Sequence, residues 1–99
     1  MIIHHKVVTL DGTNGGTIQI NPDLPNVQIA AAGRATGTLT FTGKSKGSDV
    51  YEAFQPALTL DLSTERTVSI EGYSLKSLSV AVSVGGGDID VTASQWNTQ

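Results

Sequence analysis

His4 and His5 are the only histidines in a chain without cysteine, so they are the first candidates for a base or a metal ligand. Neighbours on a strand point to opposite faces, so one at most could serve a given pocket. With no cysteine or carboxylate nearby, the pair also makes a poor metal site. Carboxylates are the second option. Asp88 and Asp90 share one face of an alternating run beside Gly85–Gly87, and Asp11 and Asp49 sit in turns. The stretch Asp11-Gly12-Thr13-Asn14-Gly15 lacks the alternating acids of a helix-flanked calcium loop. Nothing in the sequence sets Asp88 and Asp90 apart as acid and base. Gly43-Lys44-Ser45 ends like a phosphate loop, yet Gly37 and Gly43 enclose one residue too many, and those residues alternate as a strand. The expectation is a protein that is not an enzyme, with no catalytic residue, no cofactor and no metal ligand.

The elements that position these residues follow from period-two alternation, the pattern of half-buried strands. Leu78, Val80, Val82 and Val84 alternate with Ser77, Ser79, Ala81 and Ser83, and Leu58, Leu60 and Leu62 with Thr59, Asp61 and Ser63. The same holds for Leu39 and Phe41, Val68 and Ile70, Ile89 and Val91, Val27 to Ala31, Ile18 and Ile20, and a first run through Val7, Val8 and Leu10. Turn-forming stretches separate these runs at 11–16, 21–26, 44–49 and 85–88. About eight short strands at such spacing predict an all-β fold. That fold is a single antiparallel β-sandwich or barrel over residues 1–99, jelly-roll or Greek-key like, with 1–6 as an N-terminal arm. Helix is confined to short turns near Gln55–Leu58 or Ser74–Ser77. Phe41 is assigned to the core, Tyr51 and Tyr73 to its rim or an interface, and Trp96 either closes one end of the sandwich or anchors a neighbour.

Composition narrows the partners. The 99 residues carry a formal charge of −3, and their six basic side chains are scattered, which argues against nucleic acid and against an anionic membrane surface. Only 15% of residues are charged. The many serines and threonines form uncharged rows, Thr36, Thr38, Thr40 and Thr42 in one and Ser77, Ser79 and Ser83 in another. Such rows read as solvent-facing strands or as flat surfaces that pack on another subunit. The residues assigned to partner contact are Ile2, Ile3, His4, His5 and Lys6 in the arm, Lys44, Lys46 and Asp49 in a loop, and Trp96. No apolar run is long enough to span a membrane, and the N-terminus lacks the apolar stretch of a secretion signal.

Gly37-Thr38-Leu39-Thr40-Phe41, Gly47-Ser48-Asp49-Val50-Tyr51-Glu52-Ala53-Phe54, Thr67-Val68-Ser69-Ile70-Glu71-Gly72-Tyr73-Ser74-Leu75-Lys76-Ser77-Leu78 and a closing Val91-Thr92 with Trp96 resemble small virion proteins of tailed bacteriophages. The resemblance covers about two thirds of the chain and consists of strand and turn patterns. It implies a β-sandwich without enzymatic activity, made in the host cytoplasm and built into the virion in many copies. The expected role is a capsid decoration (cement) protein, a homo-oligomer such as a trimer, binding the major capsid lattice. The alternatives are a tail or baseplate accessory and a β-sandwich that binds a glycan or another ligand.

Overall fold

A computed structural model describes residues 4–33, 37–83 and 87–96. Eight strands follow one another: β1 (His4–Leu10), β2 (Gly16–Gln19), β3 (Asn26–Gly33), β4 (Thr38–Ser45), β5 (Glu52–Asp61), β6 (Thr67–Ile70), β7 (Leu75–Val82) and β8 (Ile89–Trp96). They form two four-stranded sheets, ordered β1-β8-β3-β6 and β2-β7-β4-β5, and every pairing is antiparallel. The pairs β4–β5, β3–β6, β2–β7 and β1–β8 are nested, so the first half of the chain lies against the second like one long hairpin rolled into a sandwich. That is the double Greek key of a jelly roll.

Alternation is what lets each strand face both ways. Ile18, Ile29, Leu39, Phe41, Leu60, Leu78, Ile89 and Val91 all point between the sheets and are essentially inaccessible. Opposite them, the outer face of the second sheet sets Thr17 against Ser79, Ser79 against Thr42, and Thr40 against both Ala81 and Thr59. The uncharged row predicted on β4 therefore exists as a patch spanning four strands, although Thr36 lies outside the described residues. Ser77 departs from the prediction. It is buried, because Tyr51 Oη lies 2.7 Å from its hydroxyl and the Gln19 amide reaches it from the other side.

Neither short helical turn is present: Gln55–Leu58 belongs to β5, and β7 begins at Leu75. The N-terminal arm is also corrected from His4 onward. His4, His5 and Lys6 are the first residues of β1 and pair with Gln95, Ser94 and Ala93. The physical reason is that β1 closes the edge of its sheet on β8, with Leu10 at its far end buried in the core. Residues 1–3, including Ile2 and Ile3, lie outside the described residues, as do Val84, Gly85 and Gly86.

Candidate functional site

The antiparallel order gathers three loops at one end of the sandwich: 20–25 between β2 and β3, 46–51 between β4 and β5, and 71–74 between β6 and β7. The start of β1 and the end of β8 arrive at the same end. These loops are tied to one another by their backbones. Gly72 N and Tyr73 N donate to the Pro25 carbonyl at 3.0 and 3.2 Å, and Lys46 N donates to the Ser74 carbonyl at 3.0 Å. Gln95, fully buried on β8, fixes the first loop. Its amide oxygen accepts from Asn21 N at 2.8 Å, and its amide nitrogen donates to the carbonyls of Asn21 at 2.9 Å and Leu24 at 3.3 Å.

All seven described residues assigned to partner contact lie at this end. Lys46 bridges to Asp23 across 3.1 Å, and Asp49, fully exposed, faces Lys76 at 3.7 Å. Lys44 stands over the Tyr51 ring, 4.5 Å from its centre. Trp96 ends β8 opposite Asn26 and is half-buried. His4 and His5 take opposite faces of β1, and the His5 ring reaches the Ser94 hydroxyl at 3.3 Å. The structure does not draw these groups into one pocket. It distributes them as a rim, with two large apolar side chains standing out from the loops, Val50 (64% exposed) and Tyr73 (45% exposed).

A recessed feature opens at the side of this end, and sequence reasoning missed it. Phe41 pairs with Leu58 and Thr42 with Ala53, so residues 54–57 bulge out of β5 with no partners on β4. The bulge turns Phe54 inward, where it packs edge-to-face on Tyr73 with ring centres 5.2 Å apart. Gly43 makes room for it, since a Cβ there would press on the Phe54 ring and on Leu75. On one side of this aromatic pair lies a groove of about 210 Å³ between β5 and β6, bordered by Leu58, Ile70 and Glu71. On the other lies one of about 270 Å³, bordered by Glu52, Ser45 and Leu75. The signal was in the sequence: alternation fails across Phe54-Gln55-Pro56-Ala57, and a proline inside a strand marks an edge or a bulge.

Of the carboxylates first considered for chemistry, Asp11 holds a turn, Asp49 faces Lys76 and Asp90 bonds across a strand pair. At the opposite end Asp11 accepts from Thr13 N at 2.7 Å and from Asn14 N at 3.3 Å, which holds its carboxyl below the ordinary aspartate value. Asp61 is lowered in the same way, first by the Ser63 hydroxyl at 2.6 Å and then by Ser63 N at 3.0 Å. Asp90 accepts from the Thr9 hydroxyl at 2.6 Å across the β1–β8 pair. Among the described residues no three histidine or acidic side chains converge as a metal site, and no helix is long and apolar enough to cross a membrane.

No protein-family model matches the sequence, and no curated protein is significantly similar to it. Solved structures do share the fold. The SPBc2 prophage-derived protein YomS superposes with a TM-score of 0.56 at 11% identity, covering 96% of each chain. AlgX of Pseudomonas aeruginosa gives 0.61 at 12% identity over this whole chain, but over 27% of its own. A dTDP-4-dehydrorhamnose 3,5-epimerase of Bacillus anthracis gives 0.55 at 12% identity, again over this whole chain and 55% of the enzyme. The chain thus spans roughly a quarter and a half of the latter two.

These likenesses establish the fold, and they correct one expectation. The sequence reading excluded enzymatic activity, yet sugar epimerases are built on this same two-sheet architecture. The exclusion fails for a physical reason. In a jelly roll, residues far apart in the chain meet across paired strands, so a catalytic set need leave no contiguous motif to find.

Proposed function

We propose that this chain is a structural subunit of a bacteriophage particle, binding through its loop end to the assembled capsid lattice. The observation that carries the reading is the prophage-derived neighbour, which shares the fold over 96% of both chains. The uncharged Thr, Ser and Ala patch on the second sheet supports it, because such a surface suits a subunit that meets neighbours. So does the loop end, where Val50 and Tyr73 project between paired charges. Binding the lattice in preference to free subunits stabilises it by mass action, and a homo-oligomer would present several loop ends at once and gain avidity.

The test is co-sedimentation of the purified chain with capsid shells of the phage that encodes it, against unassembled capsid protein. The reading predicts that the chain pellets with shells and not with free subunits. Val50→Asp should weaken binding roughly tenfold by placing a charge in the apolar centre of the contact. Equal binding to free subunits, or none to shells, overturns it.

A further inference from the structure

The sandwich is open along one side, where β5 and β6 are the edge strands of opposite sheets. The two edges are not equally receptive. The bulge at 54–57 breaks β5, and Pro56 within it has no N–H to offer, so β5 is a poor template for another strand. Among the described residues β6 pairs with β3 alone, which leaves its other edge open. Between them the groove has an apolar floor of Leu58 and Ile70, with Tyr73 on its wall.

Charge points to what fits there. Glu71 borders this groove and Glu52 the adjoining one, both are exposed, and neither has an ion-pair partner among the described residues. Three lysines of the same end are engaged elsewhere, Lys44 over Tyr51, Lys46 with Asp23 and Lys76 with Asp49, and Lys6 on β1 borders neither groove. Among the described residues no cation lines the recess, which is aromatic and acidic.

We propose that this cleft receives an extended segment of a partner protein carrying an arginine or lysine. The segment adds to the open edge of β6, lays apolar side chains on Leu58 and Ile70, and sets its cation against Glu71 and the Tyr73 ring. Main-chain bonds along β6 supply affinity, and alternate side chains supply register. The cation gains from the carboxylate and the aromatic face together, whereas an acidic segment meets only repulsion. This inference holds whichever particle or complex the partner belongs to.

The experiment uses the intact chain and a labelled peptide alternating valine with arginine, read by fluorescence anisotropy. The same peptide with glutamate for arginine is the control, and free arginine amide is the competitor. Binding of the arginine peptide alone is expected, with slowed amide exchange over 67–71. The double substitution Glu52→Gln and Glu71→Gln should weaken it roughly tenfold at an unchanged Tm, since both side chains are exposed. Tyr73→Ala should weaken it as well. Failure of the arginine peptide to bind, or equal binding of the glutamate peptide, overturns the proposal. So does competition by arginine amide at the peptide's own concentration, which would make this a small-cation site, or binding that leaves exchange at β6 unchanged.

Discussion

Gln95 shows how much one side chain contributes here. Removing its amide strands the Asn21 N–H and frees the loop that carries Asp23, the partner of Lys46. Gln95→Leu should therefore cost about 3 kcal/mol in urea unfolding, with faster exchange of the Asn21 amide. In the sequence nothing distinguishes Gln95 from an exposed polar residue, because its burial depends on Asn21, 74 positions away. The turn aspartates make a prediction of opposite kind. Asp11 and Asp61 are lowered in the folded state by their turn hydrogen bonds, so the stability they give is present above the unfolded aspartate value and is lost as pH falls through the folded one. Stability should decline from roughly pH 4 downward, and Asp61→Asn should flatten that acid limb in unfolding curves taken across pH.

Among the elements, the β1–β2 turn is the least forgiving. Gly15 has φ +74°, and a Cβ there would collide with the Val80 carbonyl on β7, while Gly72, at φ +82°, has open space around it. Gly72→Ala should cost about 1–2 kcal/mol from backbone conformation alone. Gly15→Ala should cost more than about 3 kcal/mol, since conformation and collision add; denaturant midpoints separate the two. Deleting residues 1–5 removes the His4 and His5 pairings of β1, and a Tm lower by roughly 4–8 °C is expected, the equivalent of about 1 kcal/mol for a domain of this size. The strands themselves were legible, since runs such as Leu39–Phe41 and Leu78–Val82 alternate cleanly and their apolar residues do face inward. The bulge in β5 left a sign in the broken alternation at Phe54–Ala57, but its extent was not legible, because that depends on which residues of β4 it faces. Nor was the cleft, which needs two edge strands far apart in sequence to lie side by side.

At the scale of the whole molecule, nesting has a kinetic consequence. The pair β1–β8 joins His4 to Gln95, so closure of the sandwich requires nearly the whole chain. Folding dominated by such pairings should fall in the range of about milliseconds to seconds, with stopped-flow fluorescence of Trp96 as the readout. The sequence supports an eight-run sandwich of Greek-key type. It does not reveal that three loops, the start of β1 and the end of β8 converge on one rim. The functional account rests on that rim meeting an assembled lattice, and quantitative mass spectrometry of the phage particles to which the chain is proposed to belong tests it most directly. The account predicts this chain within purified particles in a copy number comparable to that of the major capsid protein. Its absence from the particles, or a count matching a single ring, would contradict it.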